Sequence, residues 1–185
     1  GGDHSITYST FMAFSEEFAA PAMISFDAHA NALPITSEVS NQGINRAIIE
    51  DGMLRPEKAA LIGVRKILPE EESFLRGNRV LTVGAADIRK KTKDAKSLLS
   101  EFLTTQKSVY VSFDIDVLDP SLAPGTRMQE KNGLGNEETL ELLQEIIDSG
   151  KLRAFDLVEV NPALDQQGKT VFAARKIIQR LFAEW

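Results

Sequence analysis

Apolar residues in this chain gather in short unbroken runs, separated by longer stretches where they recur at helical spacing. The runs Ala22 to Phe26, Ala59 to Val64, Arg79 to Val83, Ser108 to Phe113 and Phe155 to Val160 are strand-sized and nearly all apolar. Strands that are apolar on both sides of the pleat belong inside a parallel sheet covered by helices. Between the runs, Asn136 is a good N-cap for a helix carrying Leu140, Leu143, Ile146 and Ile147 on one face and stopping at Gly150. A last helix carries Val171, Ala174, Ile178, Leu181 and Phe182, a stripe expected to dock on the sheet. Alternating strand and helix predicts a right-handed, doubly wound α/β layer. The stretches Asn31 to Asn45 and Asp119 to Asn136, rich in Gly, Pro, Asn and charge, read as the loops where specificity resides.

The 185 residues, 43% of them hydrophobic, suffice for one buried core, so the expectation is a single domain over 1–185. With 27 acidic and 21 basic side chains the formal net charge is -6, which offers no basic face to nucleic acid or anionic lipid. No apolar run approaches the roughly 18 residues that cross a bilayer, and Gly1 to Ser5 is not a signal sequence, so neither nucleic acid nor membrane is an expected partner. The absence of Cys excludes disulfides and thiolate ligands and fits a reducing compartment, with the cytoplasm as the expected location.

Chemistry concentrates where strands end. Asp27 and His29 follow the first run, and Asp114 and Asp116 follow the fourth. Residues two apart on an extended strand share a face, so each strand presents a pair of donors together. Open α/β sheets hold their ligands at the carboxyl ends of the strands. His4, in a glycine-flanked loop, supplies a third group. Singly, a strand-end Asp more often caps a turn, and a lone His is more often structural. Five donors from three strand ends favour a metal site. Carboxylates and imidazoles without thiolate suit a borderline-hard divalent ion, manganese best, with zinc, nickel and iron as alternatives.

The blocks Gly1-Gly2-Asp3-His4-Ser5, Ser25-Phe26-Asp27-Ala28-His29, Ser112 through Pro120, Ala123-Pro124-Gly125-Thr126 and Glu159-Val160-Asn161-Pro162 resemble, in order, the signature blocks of the ureohydrolases, the arginase and agmatinase family. The resemblance implies an α/β three-layer sandwich with a central parallel sheet. The chain would be the C-terminal two-thirds of that fold, its N-terminal strands missing. It implies two Mn2+ ions bridged by Asp27 and Asp114, with His4 completing one shell and His29 with Asp116 the other. In such enzymes a metal-bridging hydroxide attacks a guanidinium carbon and releases urea and an amine. Asp116 and Glu159 would be the catalytic acids, Glu159 also pairing with the substrate guanidinium. A small guanidino substrate of arginine or agmatine type and a homo-oligomer, trimer or hexamer, are implied as partners.

The chain departs from that pattern in three places. Asn31 stands where a further Asp ligand is expected, so the ion held by His4 should bind less tightly. Val39 to Ala47 contains no His where a leaving-group acid is expected, and only His4 and His29 exist in the chain. Losing a general acid costs about 100-fold to 10,000-fold in rate. Arg127 to Asn132 replaces a small Gly- and Pro-rich continuation; altered substrate contacts and drift of a solvated loop are the two readings, drift favoured for Gln129 to Lys131. The alternative function is therefore a catalytically silent ureohydrolase-like structural or regulatory subunit. A phosphate-loop reading of Gly1-Gly2 lacks the Lys-Ser/Thr ending and is set aside.

Overall fold

The structure, a computed structural model, describes residues 1–35 and 40–182. Residues 36–39, within the expected Asn31 to Asn45 loop and including Val39, lie outside the described residues.

Five strands, β1 (Ala22–Phe26), β2 (Ala59–Val64), β3 (Leu81–Gly84), β4 (Val109–Asp114) and β5 (Leu152–Val158), form one sheet in the order β3-β2-β1-β4-β5. Every pairing is parallel, as the doubly apolar runs predicted. Helices α1 (Ile6–Glu17), α2 (Ile44–Glu50) and α3 (Pro69–Gly77) cover one face; α4 (Ala85–Lys90), α5 (Thr92–Thr104), α6 (Asn136–Asp148) and α7 (Lys169–Phe182) cover the other. The result is a three-layer α/β sandwich. Alternation along β1 divides its side chains between the layers: Met23 packs with Phe11 and Ile48, whereas Ile24 and Phe26 pack with Leu99 and Leu143.

Register matters most for the site. Phe26 pairs with Phe113, their rings stacked at 5.2 Å, so Asp27 and Asp114 emerge side by side. Asp114 in turn pairs with Val158, leaving Glu159 one residue past the end of β5.

β5 ends at Val158 rather than Val160, and two strand starts move by two residues or more, each for a local reason. β3 begins at Leu81 rather than Arg79, because Arg79 takes a left-handed backbone (φ 57) just after α3, where Val80 donates back to Leu75 O at 3.0 Å. β5 begins at Leu152 rather than Phe155, since a register shift between Val109 and Tyr110 carries the pairing further back along β4. α6 starts one residue earlier than expected: Gly135 is the cap residue, and Asn136, expected as the N-cap, is the first residue of the helix. The α7 stripe is partly as expected. Ala174 and Leu181 are buried and the Phe182 ring meets Phe155 of β5 edge-on at 5.2 Å, whereas Val171 is 46% exposed and Thr170, Ala173 and Ile177 are buried as well.

Candidate metal centre

An aspartate stands just past the end of β1 and another at the end of β4, each with its carboxylate held by the turn that follows. His29 N–H donates to Asp27 Oδ1 at 2.6 Å, and Asp116 N–H donates to Asp114 Oδ1 at 2.9 Å. The turn after β4 is a single 3-10 turn, Ile115–Val117, which brings Asp116 round to accept Ala28 N–H at 2.9 Å. Capping thus orients these aspartates as well as bringing them together.

Their ligand atoms fall into two clusters, His4 with Asp27 and Asp114, and Asp27 with His29 and Asp116, all within 4.8 Å of one another in each. Asp27 belongs to both. Its Oδ2 lies 3.2 Å from His4 Nδ1 and its Oδ1 lies 3.4 Å from His29 Nδ1, so the two oxygens serve different clusters. Asp114 Oδ2 is 3.1 Å from His4 Nδ1, and Asp116 Oδ2 is 2.8 Å from His29 Nδ1. Asp114 joins the first cluster only; its other oxygen is taken by the Asp116 amide.

All three carboxylates are buried. Burial, and then the charge of Asp27, push Asp116 up to about 6. Burial would raise Asp27 as well, but hydrogen bonds from His29 and His4 outweigh it and hold the carboxyl at about 2. Burial lowers His29, and the bonds to Asp116 and Asp27 reverse this and carry it up to about 10. Three buried carboxylates in contact call for positive charge, and the two imidazoles, each with Nδ1 turned toward them, provide donors for it. The set fits a pair of divalent cations: oxygen and imidazole donors, no sulfur, and one carboxylate with an oxygen for each. The resident group implied by this chemistry would be held by His4, Asp27, Asp114, His29 and Asp116.

Asn31 behaves differently from the ligand expected of it. It sits in left-handed backbone (φ 47), donates its amide nitrogen to Asp27 Oδ2 at 2.6 Å, and places that nitrogen 3.5 Å from His4 Nδ1. In this arrangement it steadies the shared carboxylate; ligation would require the amide to turn its oxygen inward. Glu159, also in left-handed backbone (φ 62), donates its N–H to Gly2 O at 2.8 Å and accepts His4 N–H on Oε1 at 2.9 Å. The glycine-flanked loop and the end of β5 thereby fix one another.

Several contributors escaped the sequence reading. His4 Nε2 is 3.0 Å from Ser112 Oγ, Ser112 donates to Asp156 Oδ1 at 2.9 Å, and Thr7 and Tyr110 donate to Asp156 Oδ2 at 2.8 and 2.7 Å. With Ser112 donating onward to Asp156, His4 Nε2–H donates to Ser112, and Nδ1, which faces Asp114 and Asp27, is the nitrogen that would ligate a cation. Ser112 lies two residues before Asp114 on the same strand face, which was the available signal. Arg65, just past β2, donates to Asp116 O at 2.6 Å, to Glu130 O at 2.9 Å and to Lys131 O at 3.2 Å, tying the Asp116 turn to the loop beyond it.

A cavity of about 370 Å³ opens onto both clusters, lined by His4, His29, Asn31, Asp114, Asp116 and Glu159 and also by Asn41, Gln42, Arg127 and Met128. The arginase family profile matches residues 1–183 of the chain. The chain belongs to the arginase family. The agmatinase of Chromobacterium violaceum is 33% identical over 180 residues, which is 96% of this chain and 54% of that protein. Proclavaminate amidinohydrolase of Streptomyces clavuligerus is 32% identical over 189 residues, covering 100% of this chain and 60% of that protein. Among solved structures, formimidoylglutamase from Bacillus subtilis superposes with a TM-score of 0.93 at 27% identity, over 100% of this chain and 59% of that one. This arginase-family chain therefore spans 54% to 60% of the length of these relatives, and its three-layer sandwich is the arginase fold. No helix among the described residues is long and apolar enough to cross a membrane.

Proposed function

We propose that this protein hydrolyses the C–N bond of a guanidino compound to urea and an amine, using two divalent cations, manganese by preference. The observation that carries the proposal is the pair of ligand clusters sharing Asp27, open to a cavity that Glu159 also lines. The names of the two curated relatives, an agmatinase and an amidinohydrolase, agree with it.

When bound, the cation pair supplies Lewis acidity and an acidified water beside an otherwise unreactive carbon. The chain's own residues do the rest. Glu159, its Oε1 fixed by the His4 amide, offers the guanidinium a carboxylate in fixed orientation. Asp116, on the cavity wall, would hold a cation with the Oδ2 that faces His29, and its carboxylate would accept the proton released as the new C–O bond forms and pass it to the departing amine. Asn31 keeps Asp27 from turning while the charge redistributes. No imidazole faces the departing amine, because both histidines of the chain belong to the clusters.

That gap is what favours a second reading. Gln42, an amide that cannot release a proton to an amine, lines the cavity in the loop where the acid is expected. A silent subunit that binds metal without turnover follows if no other group substitutes. The experiment that separates the readings is urea release from arginine, agmatine and 4-guanidinobutyrate by manganese-loaded protein. Release from at least one, lost on Asp27→Ala, supports the hydrolase; manganese uptake without urea from any of them supports the silent subunit.

A further inference from the structure

The cavity grades from a buried acidic end to an exposed one of different charge. His4, Asp114 and Asp116 are buried, and Glu159 is half-buried beside them; Gln42, Arg127 and Met128 are exposed. Arg127 is the only lysine or arginine among the described lining residues. It is set in place by its own loop. Gly125 donates its N–H to Thr170 Oγ1 at 2.6 Å and accepts Asn161 N–H at 2.8 Å, and a Cβ there would lie 2.8 Å from Thr170 Oγ1. The tight seat of Gly125 fixes where residues 126 and 127 leave it.

We infer that the guanidino substrate carries a carboxylate at its far end, and that Arg127 is the residue selecting it. This rests on the guanidino reading above. A guanidinium is drawn to the buried acidic end, so the tail of an extended substrate reaches Arg127, Asn41, Gln42 and Met128, which among the described residues are one cation, two amides and no carboxylate. Nearby acids outside the lining are engaged: Asp3 accepts Ser5 N–H at 2.9 Å, and Glu130 lies 3.7 Å from Lys66 and 3.8 Å from His29. The Arg127 contact with Asp3 is a single 3.4 Å approach between exposed side chains, which leaves the other guanidinium edge able to receive a carboxylate. Volume does not discriminate, since about 370 Å³ admits either a guanidino acid or a guanidino amine; charge does.

The test is calorimetric binding of 4-guanidinobutyrate, agmatine and uncharged-tail butylguanidine to the manganese-loaded protein, its Arg127→Gln variant and its Arg127→Glu variant. The native protein should bind 4-guanidinobutyrate roughly 10- to 100-fold more tightly than agmatine, the range of one charge-assisted hydrogen bond. Arg127→Gln should bring the two together, and Arg127→Glu should reverse their order. Butylguanidine binding with agmatine equal to or tighter than 4-guanidinobutyrate overturns the tail assignment alone, as does an order unmoved in Arg127→Glu. Failure of all three ligands, butylguanidine included, overturns the guanidino reading and the tail assignment with it.

Discussion

Two residues decide how well this site can work. Among the described residues of the loop, Asn41 and Gln42 line the cavity and Ser40 does not, so Gln42 is a position from which an imidazole would reach a departing amine and Ser40 is not. Gln42→His is expected to raise urea release by about 100-fold or more, the scale of a general acid, while Ser40→His leaves it unchanged. Equal effects at the two positions would contradict this placement. Asp156 is the second. It touches no cavity atom, yet through Ser112 it fixes which nitrogen of His4 bears the proton. Asp156→Asn, with Ser112→Ala beside it, should weaken manganese binding by about 10- to 100-fold, as loss of an outer hydrogen-bond partner does. Equilibrium dialysis checks this, and unchanged affinity in both variants would remove Asp156 from the account. Of these groups, His4, Asp27, His29, Asp114 and Asp116 were legible in the sequence, because strand-end donors spaced by two announce themselves. Asp156 was not: a charged residue among Phe155, Leu157 and Val158 gives no sign that hydroxyls from α1 (Thr7) and β4 (Tyr110 and Ser112) converge on it. Asn31 was seen as a ligand, but which end of an amide faces a site depends on the surrounding hydrogen bonds, and a sequence does not carry them.

At the level of elements, the sheet holds the site by backbone fit. Gly63, near the end of β2, has φ +90 at the point where the register with β3 slips, and a Cβ there would collide with Val117 Cγ2. Val117 follows Asp116 in the ligand-bearing turn. Gly63→Ala should therefore cost about 2–4 kcal/mol in urea unfolding and also lower manganese affinity, because relief requires moving that turn. A stability loss with native metal affinity would show that β2 supports the fold and not the site. The parallel sheet was legible because doubly buried strands are nearly all apolar. The ends of β3 and β5 were not, since a left-handed Arg79 and a register shift at Val109 are choices of backbone geometry. The α7 face was legible in part: Ala174, Leu181 and Phe182 of the expected stripe are buried or packed on Phe155, whereas Thr170, Ala173 and Ile177, buried beside them, were not expected and Val171 is exposed.

Across the whole molecule, the strand order β3-β2-β1-β4-β5 gathers groups from opposite ends of the sequence into one acidic pocket. His4 N–H reaches Glu159 across 155 positions, and both ligand clusters meet at one carboxylate on β1. The acids there are tolerable only with compensating charge, which makes metal binding a property of the assembled sheet and not of any one segment. The most direct test is the number of manganese ions bound per chain, by equilibrium dialysis, in the native protein and in Asp27→Ala. Two ions in the native protein and weakened binding of both in the variant are the predicted result. One ion or none in the native protein, or one ion kept at full affinity without Asp27, would contradict a centre built on a shared carboxylate.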